Sequence, residues 1–427
     1  MRKALIISPN FPPNNAADMQ RIRMSLPYFE KFGWQVEIVT VDPKYSEFGI
    51  DPFLSESVPD NIPIHYVNAF RKSWTRAIGF GNIAYRSLYF YRKYVDRLLE
   101  NKQFDLIYFS TTQFAVCTLG AHWKHKFGIP YVIDFQDLWH SEYYKSKPRS
   151  ERPSKYWLSY PLNKRLESLA MKHADGVISV SAAYITALHQ RYANLKTKPA
   201  KVITFGAFDR DFEIVNKHKT ELNPAYKRSE NTIHLVYIGR GGFDMQVSLR
   251  AILLAFKQGL ADMPALFGRV KFHFIGTSYA PDNQAKKTLL PVGIELDLED
   301  YIDEQTKRIS FYQGLRTLQE ADGLIILGSD DPNYTASKIY PYILAKKPLL
   351  GIFNPESSAA KIINSCQAGV ALVLTDSTSV VFEKLKEFIS DIGNKKSEVK
   401  TDWKKFECYS AETMALNQTD LFNEVVA

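Results

Sequence analysis

Short apolar, β-branched runs recur along the chain between longer amphipathic stretches. In the first half they read KALIIS from Lys3, VEIVTV from Val36, LIYFS from Leu106, YVID from Tyr131, GVISVS from Gly176 and KVITFG from Lys201. In the second half they read HLVYIG from His234, VKFHFIG from Val270, ISFYQ from Ile309, GLIILG from Gly323, PLLGIF from Pro348 and GVALVL from Gly369. Near-continuous apolar strands separated by helix-length segments predict parallel sheets covered on both faces. The alternation restarts in the second half, so the pattern predicts an α/β protein of two doubly wound, Rossmann-like domains. The first spans 1–208 and the second 232–409. Between them, 209–231 contains the polar stretch NKHKTELNPAYKRSEN and reads as a linker. The tail 410–427 reads as a helix with Ser410 as N-cap and Glu412 close behind, packing back toward the first domain.

Open parallel sheets bind ligands at the carboxyl ends of their strands. That rule selects 10–15, 110–112, 134–139, Ser181, 205–209, 240–244, 276–279 and 329–338. Two such sheets facing one another would enclose a cleft lined by these polar, glycine-containing segments, which suits a nucleotide-type ligand better than an apolar one. Within YIGRGGFD, Gly239, Gly241 and Gly242 would let backbone N–H groups approach a phosphate beside Arg240, although a plain tight turn explains them equally well. Asp244 stands where a GxGxxG fingerprint needs its last glycine. TASKIY offers Thr335, Ser337 and Lys338 at a helix start, for capping or for a ligand. With Ser337 as N-cap, Pro341 deprives that helix of one hydrogen bond, for less than the ~3 kcal/mol of a mid-helix proline. Asp134 and Asp137 in VIDFQDLWH can orient hydroxyls, serve as a base, or be a cap and a satisfied structural carboxylate. The DRD at 209–211 reads as a solvated turn, and His122 and His125 in HWKH lack a third metal ligand, so no metal site is expected.

Composition narrows the class. At 427 residues, with 45% hydrophobic and 23% charged residues, the chain matches an ordinary globular protein. No apolar run approaches the roughly 20 residues that span a bilayer. The initial apolar run 4–7 is shorter than the about 7–15 residues of a secretory core, so a cytoplasmic location is expected. Cys117, Cys366 and Cys408 are far apart and read as buried thiols. The net charge of +8 is concentrated: 71–102 and 143–173 each carry eight Lys or Arg against two Asp or Glu. The first segment interleaves Trp74, Phe80, Tyr85, Tyr89, Phe90, Tyr91 and Tyr94 with its cations. That combination suits an anionic membrane surface, stacking on single-stranded nucleic acid, or an amphipathic helix with its aromatics in the core. Within the second segment, YYKSKPRSERPSKYW from Tyr143 reads as a loop over the same cleft.

In chain order, these stretches resemble the glycosyltransferase family 4 enzymes of the GT-B fold. NFPPNNAADMQRIRMSLPYFEKFGWQVEIVT resembles their opening strand, loop and helix, and DFQDLW their Asp-x-x-Asp-Leu-Trp stretch. ISVSAAYITAL, containing Ser181, is similar to their Val-Ser motif, FGAFD to their linker segment and YIGRGG to their Gly-Arg turn. ADGLIILGSDDPNYTASKIYPYILAKKPLL is similar to their donor-binding corner. The resemblance covers essentially the whole chain.

It implies transfer of a sugar from a nucleotide sugar, with retention of configuration and without a metal or other cofactor. Arg240 and Lys338 become diphosphate contacts, assisted by Thr335 and Ser337, while Asp134 or Asp137 contacts donor or acceptor hydroxyls. Arg21 would face the cleft, with Asn14 and Asn15 standing where the family carries glycines. The Lys that usually follows the Gly-Arg turn is absent, and the family's paired glutamates fall on Asn333 and Pro341. Asp330, Asp331 or Tyr342 would then replace the ribose contact. The expected protein is a peripheral-membrane glycosyltransferase acting on a saccharide or lipid-linked acceptor in surface polysaccharide synthesis. The rival is a non-catalytic scaffold, favoured by the missing glutamates and opposed by Arg240, Ser337 and Lys338. Nucleic-acid binding rests on the basic aromatic segment alone.

Overall fold

The computed structural model describes the whole chain except 77–80, 141, 143–144, 146–147, 150–151, 153–155, 281–282 and 332–336. The chain forms two compact units. One is Met1–Gly206 together with Ala411–Ala427, and the other is Ala207–Ser410.

The first unit is built on strands β1 (Arg2–Ile7), β2 (Trp34–Val41), β3 (Ile64–Val67), β4 (Leu106–Ser110), β5 (Tyr131–Phe135), β6 (Gly176–Ser179) and β7 (Ala200–Val202). All pair in parallel, in the order β3-β2-β1-β4-β5-β6-β7. The second unit has β8 (Ile233–Ile238), β9 (Val270–Ile275), β10 (Ile302–Gln305), β11 (Gly323–Leu327), β12 (Leu349–Phe353) and β13 (Val370–Val373). These also pair in parallel, in the order β10-β9-β8-β11-β12-β13. Both sheets reverse direction of growth once, between β1 and β4 and between β8 and β11. Those reversals leave a crevice at the carboxyl edge of each sheet. The central strands β4, β5, β11 and β12 are buried along their whole length, as helices on both faces require.

Two strands of the fold lack the apolar run that marks the others. β3 is IHYV, with only Val67 buried, and β10 is IDEQ, with Ile302 and Glu304 alternating inward. Both are edge strands, so half of each faces solvent and the sequence stays polar. Conversely, the expected strand ISFYQ is a helix start. Ser310 caps the helix Phe311–Glu320 by accepting from the Gln313 N–H, and Tyr312, Leu315 and Leu318 supply its buried stripe. The segment read as a linker opens with the helix Asp209–Lys217. Its first-turn Asp211 is buried and accepts from the Tyr312 hydroxyl at 2.8 Å, so the DRD is a packed helix start rather than a solvated turn. Cys117 and Cys366 are buried, whereas Cys408 is exposed.

The tail forms the helix Ala411–Val425, which belongs to the first unit. Phe422 meets Tyr108, Trp34 and Phe29 with ring centres 4.9, 5.4 and 6.1 Å apart. Buried Gln418 donates to the Tyr108 hydroxyl and accepts from the Ser25 hydroxyl. At the start of β6, Gly176 lets this helix approach: a Cβ there would lie 2.8 Å from Val425. Replacing Phe422 by Ala removes the aromatic centre of this contact. The variant should destabilise the first unit by about 3–5 kcal/mol. Faster hydrogen exchange of the β1 and β2 amides, with β8 and β11 unchanged, is the expected readout.

Candidate active site

In the first unit the crevice between β1 and β4 is closed from within. Asp18 is buried and accepts from the Asn10 side chain at 3.0 Å, the Thr111 hydroxyl at 2.9 Å and the Thr112 N–H at 3.2 Å. Burial raises its carboxyl above the ordinary range, and these hydrogen bonds pull it back. Sequence reasoning passed over Asp18, because nothing in its spacing separates it from a loop aspartate.

Beside it lies an ion pair with no solvent exposure, Arg21 Nε to Asp134 Oδ2 at 2.6 Å. Arg21 also donates to the Ile203 and Thr204 carbonyls at 2.8 and 3.1 Å, and its guanidinium lies 4.9 Å from the centre of the Phe205 ring. Asp134 accepts further from Ser110 and Gln136, at 3.1 and 3.0 Å. Arg21 therefore points into the body of the unit rather than out of it, and Asp134 contacts Arg21 rather than solvent. Asp137 is exposed, and one of its oxygens accepts from the Leu138 N–H within its own turn. Asn14 is buried and bridges to Ile50, while the Asn15 N–H donates to the Gly49 carbonyl. Ser181 caps the helix Ala182–Arg191 by accepting from the Ala183 N–H.

In the second unit, the turn after β8 and the segment after β11 meet at the sheet reversal. The Gly239 and Gly241 N–H groups are spent on the Ile275 and Thr277 carbonyls, both at 2.9 Å, so those amides do not form the phosphate cradle that the glycines suggest. Gly242 opens the short turn Phe243–Met245. Arg240 holds Asp244 in a two-pronged pair at 2.7 Å, and Asp244 also accepts from the Ser329 hydroxyl at 2.6 Å. Asp244, where the dinucleotide fingerprint would want glycine, is thus the clasp that joins the two segments. The guanidinium holds the Asp244 carboxyl below its ordinary range, against the opposing effect of burial.

Lys338 brings its Nζ to 2.7 Å from the Tyr237 hydroxyl and 4.3 Å from that ring's centre. Desolvation and the Arg240 guanidinium lower its pKa to about 7, with Asp244 opposing. The helix it precedes runs Ile339–Leu344, with Lys338 rather than Ser337 as N-cap. Pro341 is then the third helical residue, whose N–H would have no partner inside the helix, so the proline removes no helical bond. Ser337 is exposed beside this start. Tyr342 is buried, with its hydroxyl against the Ile238 N–H at 2.7 Å and the Ile238 carbonyl at 3.2 Å, so it fastens the helix to β8. Asn333 and Thr335 lie outside the described residues.

Residues 20–204 match the family described as Glycosyl transferase 4-like domain. No curated protein sequence matches the chain significantly. Among solved structures, sucrose-phosphate synthase from Thermosynechococcus elongatus aligns with a TM-score of 0.61 at 14% identity, covering 99% of this chain and 98% of that one. HepE of Anabaena, solved in complex with UDP-glucose, aligns at 0.61 and 17% identity, covering 99% and 100%. The trehalose 6-phosphate synthase of Burkholderia multivorans aligns at 0.61 and 12% identity, covering 99% and 96%. These likenesses establish the fold over the full chain. With the glycosyl transferase domain at 20–204, the protein is an enzyme, a glycosyltransferase of GT-B type.

Removing one partner of the Arg21–Asp134 pair strands a buried charge. Arg21→Met should cost the first unit about 3–5 kcal/mol, and Arg21→Met combined with Asp134→Leu should recover much of it. Hydrogen exchange of the β4 and β5 amides measures both.

Proposed function

We propose that this glycosyltransferase moves a sugar from a nucleotide sugar to a saccharide or lipid-linked saccharide, retaining anomeric configuration and using no metal. The observation that carries the reading is the cation pair at the reversal of the second sheet. Lys338 and Arg240 stand together at the carboxyl edge, where parallel sheets take their ligands. The HepE structure holds UDP-glucose, and a nucleoside diphosphate is the leaving group that such cations suit. As the glycosidic bond to the donor breaks, negative charge gathers on the diphosphate. Preplaced cations stabilise that charge more than they stabilise the bound donor, and this difference lowers the barrier. A diphosphate beside Lys338 favours its protonated form and so draws the amine back to full charge. Ser337 is exposed for a phosphate oxygen, while Asn333 and Thr335 remain donor contacts by resemblance. Asp137, on the first unit, is the exposed carboxylate of its strand end and would orient an acceptor hydroxyl.

Surface polysaccharide or glycoconjugate synthesis, at the cytoplasmic face of a membrane, is the setting that suits such an acceptor. Among the described residues no helix is long and apolar enough to cross a membrane. On the first unit, Trp74 and Trp157 are 70% and 78% exposed, and Tyr89 and Leu158 also face solvent. Arg92, Lys93, Lys164 and Arg165 are exposed on the same helices as Tyr89 and Trp157. Of the aromatics in this region Tyr91 is core, and Phe80 lies outside the described residues. Rings that rest at a headgroup boundary beside cations support adsorption to an anionic bilayer.

Calorimetry against a panel of UDP- and GDP-sugars should find at least one that binds, and binding to none would refute the donor reading. With the sugar found, Lys338→Ala should slow transfer about a hundred- to a thousandfold. Binding without turnover toward any saccharide or lipid-linked acceptor would favour the scaffold instead. For the surface, flotation with vesicles rich in phosphatidylglycerol should recover the protein, and neutral vesicles should not. Arg92→Ala with Lys93→Ala should weaken that recovery about thirtyfold, from ~1 kcal/mol per cation.

A further inference from the structure

Tyr237 lies in β8 with no solvent exposure, yet its hydroxyl reaches the ligand edge of the sheet. The ring is fixed by the core, edge-on to Phe274 with centres 6.2 Å apart. The hydroxyl donates to the Arg240 carbonyl at 2.7 Å, which aims its lone pairs away from that carbonyl, and the Lys338 Nζ donates to it at 2.7 Å. On the other side stands Gly239, with φ +149°. A Cβ added at Gly239 would collide with the Lys338 Nζ, so the space the amine occupies exists only because no side chain is there. A hydroxyl and a missing side chain thus define one position for one amine. A tyrosine that merely fills the core would not need the second condition.

We propose that Tyr237 is a positioning residue that forms with Gly239 a seat for the Lys338 amine, setting where it meets the diphosphate of a nucleotide sugar. The inference rests on the donor-site reading above. No bond is made or broken at Tyr237. Its oxygen accepts a hydrogen bond from the ammonium more strongly than from the neutral amine, so it opposes the desolvation and the Arg240 charge that lower the proton affinity of Lys338. Removing the hydroxyl leaves the ring in the core and takes away this support together with the bond to the Arg240 carbonyl, a neutral contact that does not itself bear on the Lys338 proton.

The test is the rate at which acetic anhydride labels Lys338, read by peptide mass spectrometry across pH 5–10, in the wild type and in Tyr237→Phe. The seat predicts that the midpoint of labelling moves down by about 1–2 pH units in the variant, the equivalent of one hydrogen bond to a charged group. It also predicts weaker UDP or GDP binding by calorimetry, with the loss growing as pH rises through that midpoint. A tyrosine that merely fills the core would leave the labelling profile in place, and superimposable profiles overturn the proposal. Should Tyr237→Phe fail to fold, Gly239→Ala probes the seat from its other wall. The added methyl should expel the amine and return its titration toward the ordinary lysine range, and an unchanged profile there again overturns the seat. A shifted profile in a protein whose wild type binds neither diphosphate would overturn the donor-site reading instead, so the two failures are distinct.

Discussion

A doubly wound parallel sheet delivers every strand end to one edge, and this constraint governs both units. The chain must turn there over a core of aliphatic side chains, leaving backbone and side-chain polar groups half out of water. Unpaired, each would cost about 1–3 kcal/mol. The protein answers with carboxylates that each gather several donors. Asp18 binds Asn10, Thr111 and Thr112, and Asp134 binds Arg21, Ser110 and Gln136. Asp244 binds Arg240 and Ser329, and Glu304 takes the Thr277 hydroxyl and the N–H groups of Thr288, Leu289 and Leu290. Each joins loops that are remote in sequence, so the edge is held by charge as the sheet is held by apolar contact.

The two edges spend their charge differently. In the first unit the ion pair is wholly buried, and its arginine is used up by a carboxylate and two carbonyls. In the second, Arg240 and Lys338 sit near one another, and Asp244 offsets only part of their charge. The amine there is held at a proton affinity far below its ordinary one. Such a group is primed to gain from an anion, whereas the buried pair is already compensated. The difference separates a compensated pair from one with charge left over, although both are a basic residue beside an aspartate.

Much of the fold was legible because buried parallel strands must be apolar on both faces. LIYFS, GLIILG and PLLGIF admit no other reading between helix-length neighbours. β3 and β10 escaped because edge strands keep one face wet, and IDEQ carries its inward side chain as a glutamate. ISFYQ is not a strand because Phe311 and Tyr312 open a helix that Ser310 caps. At the site, Lys338 and Arg240 could be marked from their place after strands, but their neighbours could not. Tyr237 looks like any core aromatic until the lysine's position is known, and Arg21 looks like a surface cation until its strand-end partner is found. Pro341 costs no hydrogen bond because the helix begins one residue later than a serine cap implies.

The helix Ala411–Val425 has a consequence for the order in which the molecule is made. The first unit's strands leave the ribosome first, but the aromatic plug that covers Trp34 of β2 and Tyr108 of β4 is translated only after β13 of the second unit. The second unit is an uninterrupted stretch, with its ends drawn together where Ala207 bridges to Ser410. During synthesis it can close on its own, while Trp34 and Tyr108 still wait for Phe422 with their apolar surface open. The early half of the chain is therefore the late half to mature, and for that interval it is the part most exposed to misassembly.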